Sequence, residues 1–169
     1  QNVSAFMCDK AFNESALLAK EFGPFSGYDK EATLNSEFIH ANVSKETFKL
    51  ISEYGLRNAT ILSIAPTGTL STMLDISGGI EPMYALEYNR RTESLHGEDI
   101  TYKVQPKIVR EYMVENNIDN IEDLPEWFIT SKNINSSKRI QTQSIWQKHI
   151  DSAISSTLNL PNSATPEDI

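Results

Sequence analysis

Residues 59–65, ATILSIA, run straight into Pro66-Thr67-Gly68-Thr69, and no other feature limits the possible folds as strongly. A short, nearly continuous apolar run with branched side chains suits a buried strand of the parallel type. Proline then bends the chain, and the small polar residues after it read as the start of a helix. Strand, turn and helix start in that order predict an α/β fold. A second turn follows soon after, Ser77-Gly78-Gly79-Ile80-Glu81-Pro82, where paired glycines mark a tight bend and Glu81 before proline is biased towards extended backbone.

The flanking segments are mostly helical in pattern. Residues 5–22 place Phe6, Phe12, Leu17, Leu18 and Phe22 on an amphipathic helix that Gly23-Pro24 stops. A turn-rich stretch with a short helical piece comes next. Ser44 is then placed to N-cap a helix carrying Phe48, Leu50, Ile51 and Tyr54, with Gly55 as its C-cap. Beyond the second turn, 83–92 suits a strand with Tyr84, Leu86 and Tyr88 on one face, and 93–99 a solvated loop. A helix is expected after Pro106, and a short one near 121–129 with Trp127 in a core. The longest helix is expected at 137–156, with Ile140, Ile145, Trp146, His149, Ile150, Ala153 and Ile154 along one stripe. TLNLP, 157–161, reads as a second short strand, and 162–169 as the start of a capped helix.

Composition limits the chemistry. With 39% hydrophobic and 22% charged residues in 169, the chain has the makings of one folded domain. No apolar run reaches membrane-spanning length and no signal-peptide pattern opens the chain; with a single cysteine and no disulfide, a reducing cytoplasm is the expected compartment. The missing initiator Met and the end at a helix start suggest an excised piece of something longer. A net charge of −8 opposes nucleic acid and anionic membranes. An anionic ligand would need a local device instead: backbone N–H groups, a helix start, or a few arginines.

The first turn has such a device. Thr67, Gly68, Thr69 and Ser71 offer hydroxyls and amides at the positive end of a helix dipole, and Gly68 lets backbone approach a phosphate closely. No lysine completes a Walker loop. On pattern alone, a polar turn that caps its own helix is the safer reading. Elsewhere, His40, His96 and His149 share no metal-ligand spacing, and His149 fits a packing role. Arg90-Arg91 fits solvent or ion-pair positions, and Trp127 and Trp146 fit a core. The single cysteine, Cys8, excludes an internal disulfide and a four-thiolate metal site, and fits a buried structural thiol.

Two blocks, LRNATILSIAPTGTLSTMLDISGGIEPMYALEYNRR and IQTQSIWQKHIDSAISSTLNLPNSATPEDI, resemble the catalytic chain of ribonucleotide reductases. The nearest likeness is to the adenosylcobalamin-dependent class II enzymes. LAKEFGPFSGYDKEATLNSEFI and LISEYGLRN fit that class as well, so the similarity runs from about residue 14 to the end. The resemblance implies part of a ten-stranded α/β barrel, here a helix-rich fragment with few strands. It also implies that Pro66, Thr67, Gly68, Thr69, Leu70 and Ser71 hold the substrate phosphates, with Gly79 and Glu81 on a neighbouring active-site loop.

Radical reduction in that family draws on a thiyl-radical cysteine, a reducing cysteine pair and a Cys-x-Glu loop. One cysteine outside any such motif cannot fill those roles. The resemblance therefore implies that 1–169 form one C-terminal segment of the barrel, without catalytic residues of its own. It would join the rest of a parent barrel, bind ribonucleotide, and leave adenosylcobalamin to the parent. Turnover by the segment alone is not expected. Exposed sheet edges and apolar surface could make it a homodimer. A non-catalytic phosphate- or nucleotide-binding α/β module, and a structural domain whose turns only cap helices, are the alternatives.

Overall fold

A computed structural model describes residues 2–92, 97 and 100–168. The chain divides into two compact units. One holds the residues up to Ala65 together with Gln141–Ser155, and the other holds Pro66–Ile140 with the residues from Ser156 on. The helices are α1 (Asn2–Phe22), α2 (Lys30–Leu34), α3 (Glu37–Asn42), α4 (Lys45–Tyr54), α5 (Gly68–Leu74), α6 (Lys107–Glu115) and α7 (Ser136–Gln147). Strands β1 (Tyr88–Thr92) and β2 (Ile100–Val104) form an antiparallel pair in which Tyr88 faces Val104. No described helix is long and apolar enough to cross a membrane.

The first unit is built on α1 and α4. At 21 residues α1 is the longest described helix, and Gly23, at φ 79°, lies just beyond its end. Its buried face runs through Ser4, Cys8, Phe12, Ser15, Ala16 and Ala19. That corrects the expected face: Phe6 and Phe22 stand 63% and 61% exposed. Small side chains on either side of Phe12, namely Ser4, Cys8 and Ala16 at multiples of four residues, share one face, and α4 packs against α1. Local signals fix α4 as expected. The Ser44 hydroxyl accepts from Thr47 N–H at 3.2 Å, and Gly55, at φ 80°, donates its N–H to Ile51 O at 2.8 Å. A Cβ on Gly55 would also lie 2.9 Å from the Tyr28 ring, so the position needs glycine twice over. Across the interface Asn13 donates to Thr47 Oγ1, and Asp9 accepts from Ser44 N–H at 2.7 Å. Burial alone would raise the Asp9 pKa, but hydrogen bonds from Ser44 and Thr47 and the charge of Lys10 outweigh it and hold the carboxyl below its ordinary range.

Cys8 is fully buried in this core. Burial, reinforced by the charges of Asp151 and Asp9, pushes its thiol up to about 12. The native protein should therefore resist iodoacetamide at pH 8 and react once unfolded; alkylation at a free-thiol rate without unfolding would contradict the buried placement. Because the folded-state pKa is the higher one, this group's contribution to stability is intact below pH 9.0 and is lost as pH climbs towards about 12.

The expected strand at 59–65 is not a strand. Only Ile64 forms a bridge, parallel to Ile154, with Ile64 N–H donating to Ala153 O and Ser155 N–H to Ile64 O. The amides of Ile61 and Leu62 go to the Asp151 carboxylate, at 2.8 and 2.6 Å. A side chain thus takes the donors that a neighbouring strand would have used. His149 is buried, as a packing histidine should be, with Nδ1 against Asn42 Oδ1.

In the second unit TLNLP also fails to pair as a strand, and residues 162–169 supply a 3₁₀ turn, Pro166–Asp168, in place of an α-helix start. Helix α7, whose residues from Gln141 on belong to the first unit, is shorter than expected, ending at Gln147, and its apolar stripe is not the buried face. Ile140 and Ile145 are 53% and 40% exposed, whereas Arg139 is buried. Trp127 is 61% exposed, because it stacks on Phe128 at 4.4 Å and meets Tyr112 edge-on at 5.1 Å instead of entering a core. Trp146 is half-buried. The strand expected at 83–92 starts only at Tyr88, and the expected loop at 93–99 lies outside the described residues except for Gly97.

Candidate functional site

Both turns of the opening motif fall in the second unit, and they touch. Thr67 adopts the left-handed conformation (φ 49°, ψ 30°) immediately before α5. In that geometry its side chain makes no capping bond to the helix. Its hydroxyl oxygen instead accepts the N–H of Gly79 at 3.1 Å, joining the first turn to the second. The turn therefore does not use Thr67 to cap its own helix. The amides of Gly68, Thr69 and Leu70, the first three of α5, have no acceptor within the helix ladder.

The glycines have different reasons. A Cβ on Gly78 would lie 2.9 Å from Pro66 O and 3.2 Å from Ser71 Oγ, so the closeness of the two turns requires its absence. Gly79 sits at φ 58°, a region glycine enters freely. Gly68 meets nothing within 4 Å in the direction of a side chain.

Pro66, Gly68, Ser71, Gly78 and Glu81 line one cavity of about 700 Å³, large enough for a small organic ligand. Thr67 and Gly79 brace it from beside, through their hydrogen bond. Thr69 and Leu70 are exposed and are not part of its lining. Ser71 Oγ and Thr72 Oγ1 both donate to Gly68 O, at 3.0 and 2.9 Å, so these hydroxyl protons are already engaged. Backbone amides, more than hydroxyls, are what the turn offers an anion.

Two carboxylates reach the lining, and each is matched by an arginine. Asp75 pairs with Arg110 at 2.9 Å, and Glu81 pairs with Arg139 at 3.1 Å. That pairing removes most of the repulsion an anion would meet. Glu81 Oε1 also accepts Thr157 N–H at 2.6 Å, so Glu81 braces the loop. At the rim, Lys132 Nζ lies 4.3 Å from the centre of the Tyr84 ring.

Arg110, Arg139 and Thr157 went unrecognised in the sequence. No local pattern marked any of the three as a site residue: Arg110 and Arg139 sat in expected helices and Thr157 in the expected strand TLNLP. Arg90 and Arg91 lie on β1, opposite Tyr102 and Thr101 in register. His40 stacks on Phe48, and His96 lies outside the described residues. No cluster of three metal-ligating side chains occurs among the described residues.

Comparison with known proteins gives a family. The family model "Ribonucleotide reductase, barrel domain" matches residues 1–169. The vitamin B12-dependent ribonucleoside-diphosphate reductase of Thermoplasma acidophilum is 29% identical over 186 aligned positions, covering 100% of this chain and 22% of that protein. The vitamin B12-dependent ribonucleotide reductase of Streptomyces clavuligerus is 24% identical, covering 99% of this chain and 22% of its own length. The ribonucleoside-diphosphate reductase subunit alpha of Haemophilus influenzae is 31% identical over 88% of this chain and 17% of its own. The chain thus spans about a fifth of the length of these curated relatives.

Proposed function

From the premise that this chain belongs to the ribonucleotide reductase family through its barrel domain, we propose that it supplies wall and substrate-phosphate turn to a vitamin B12-dependent ribonucleotide reductase. Such an enzyme converts ribonucleotides to deoxyribonucleotides. Within it, residues 1–169 would be one segment of a ten-stranded α/β barrel, completed by the rest of the polypeptide. The helix-rich structure with few paired strands is compatible with a piece of that barrel.

The observation that carries the reading is the state of the Pro66–Ser71 turn. Its Thr67 hydroxyl is committed to Gly79, the first α5 amides have no ladder partner, and Gly68 opens onto the cavity. Backbone donors gathered beside a glycine suit the phosphate oxygens of a nucleotide. The remaining lining includes Tyr84, Met83 and Pro82, which leaves apolar surface beside the polar turn.

This chain brings no usable thiol to the radical chemistry, since its one cysteine is buried and held protonated. Catalytic cysteines would come from elsewhere in the enzyme, and residues 1–169 alone would not turn over. The vitamin B12 cofactor of the relatives supplies its own ligands to cobalt, and with its corrin and nucleotide it is too bulky for a cavity of about 700 Å³. It would be held by another part of the enzyme.

Gly68→Leu in the intact reductase tests the phosphate role. A Cβ at Gly68 meets nothing within 4 Å and the backbone there needs no positive φ, so folding should survive. The Michaelis constant for ribonucleotide should rise about tenfold, while formation of the cofactor radical changes little. An unchanged constant would remove the phosphate role. The single buried cysteine also suits a non-catalytic nucleotide-binding module, and a parent polypeptide without a Cys-x-Glu loop would favour that reading.

A further inference from the structure

Arg139 is only 2% exposed, on a helix whose isoleucines remain largely open to solvent. Its Nη2 donates to Glu81 Oε1 at 3.1 Å and to Ser156 Oγ at 2.9 Å. The same carboxylate oxygen receives the Thr157 N–H at 2.6 Å. Glu81 and Thr157 both belong to the cavity wall, although 76 residues separate them in sequence. One guanidinium therefore ties two pieces of wall far apart in sequence, alongside a second route in which Asn159 donates to Ser131 O and Ser131 N–H donates to Met83 O.

Stability is a poor reason for such a group. A buried charge loses its hydration, and this one recovers one carboxylate and one hydroxyl. Its Nε and Nη1 have no hydrogen-bond partner. Replacing both partners of such a pair by apolar side chains is often neutral, and removing the arginine alone leaves Glu81, 25% exposed, within reach of water. A methionine could fill the same space with no unpaired donors. What methionine could not do is orient the Glu81 carboxylate towards Thr157.

We propose that Arg139 is a positioning residue for nucleotide binding. It fixes Glu81, and through Glu81 both the glycine loop at 78–81 and the Thr157 backbone, in the geometry the cavity needs. This rests on the reading of the cavity as the ribonucleotide-phosphate site. Arg139 acts through Glu81 and touches no ligand itself.

The test uses the intact polypeptide carrying this chain, with Arg139→Met, Arg139→Lys, Glu81→Gln and the Met/Gln double variant. The probe is cytidine 5′-diphosphate. Arg139→Met should melt no lower than the parent within a few degrees, yet bind the probe about tenfold more weakly. Arg139→Lys should recover part of that affinity by donating to Glu81. Glu81→Gln should lower the melting temperature, because it leaves the guanidinium buried with a weaker partner. The double variant should bind no more weakly than Arg139→Met, since both changes break one linkage.

Amide exchange separates this proposal from the phosphate reading. Without ligand, Arg139→Met should exchange faster at Glu81 and Thr157 while α6 keeps its protection. Parent-like binding by Arg139→Met overturns the proposal, as does weakened binding accompanied by lost protection throughout α6. If the parent itself does not bind the probe, the phosphate reading fails. Unchanged exchange at Glu81 and Thr157 then overturns the clamp as well, and faster exchange there upholds it.

Discussion

Asp151→Ala is expected to lower the unfolding free energy of the first compact unit by about 3 kcal/mol, the sum for two hydrogen bonds to a charged group. Both carboxylate oxygens are engaged, Oδ2 by Ile61 N–H at 2.8 Å and Oδ1 by Leu62 N–H at 2.6 Å. Removing them strands two half-buried amides beside a segment that has only one bridge of its own. Asp151→Asn keeps one acceptor oxygen and should cost roughly half as much. Urea unfolding is the measurement: the midpoint should fall with the slope unchanged. An unaltered midpoint in Asp151→Ala would mean that the Ile64–Ile154 bridge and its neighbours hold the segment without the carboxylate.

The second large effect is expected at Gly78. Its missing side chain makes room for Pro66 O and Ser71 Oγ, and a Cβ there would stand 2.9 Å from the carbonyl oxygen. That oxygen belongs to the backbone and cannot rotate aside, so the two turns must part. Gly78→Val should therefore destabilise the second unit by about 1–3 kcal/mol, as overpacking does elsewhere. The Thr67–Gly79 hydrogen bond would break with it, and the cavity wall would lose its shape. Gly68→Val, ten residues away and facing open space, should change stability by no more than about 0.5 kcal/mol. Thermal melts of the two variants make the comparison; equal melting temperatures would show that the turns are not locked at Gly78.

The contrast between these glycines shows how far sequence could go. Gly55 read as a helix C-cap and Gly78-Gly79 as a tight bend; Gly55 does close α4, and Gly79 lies in a turn. Which glycine needs its φ angle and which needs its missing side chain depends on neighbours far along the chain. At Gly55 one such neighbour is Tyr28, and at Gly78 it is Pro66. The anion-or-cap ambiguity of the first turn was likewise undecidable locally. Thr67 is a good capping residue, but its hydroxyl is drawn to Gly79, twelve positions on.

Strands were the least legible element for a related reason. Helix hydrogen bonds close within the segment, whereas a strand exists only if a partner presents its own backbone. At 61–62 the partner is the Asp151 carboxylate, and at Thr157 it is Glu81. Neither substitution leaves a mark in the apolar pattern of ATILSIA or TLNLP. The hairpin of Tyr88–Thr92 with Ile100–Val104 was only half anticipated, because its second strand was not recognised.

The sequence by itself determined the elements whose stabilising contacts lie three or four residues apart. Ser44 caps α4 at Thr47, Gly55 closes the same helix on Ile51, and Gly23-Pro24 follows the end of α1. It also determined the family, through the spacing and order of its two turns and the later block. Only the tertiary structure decided which carboxylates hold the backbone and which arginine holds Glu81. Those links join residues 58 to 90 positions apart. No local propensity encodes such a pair, since each partner alone is an ordinary polar residue. Folding gives them their role by burying them together, where an unpaired charge or amide would be costly.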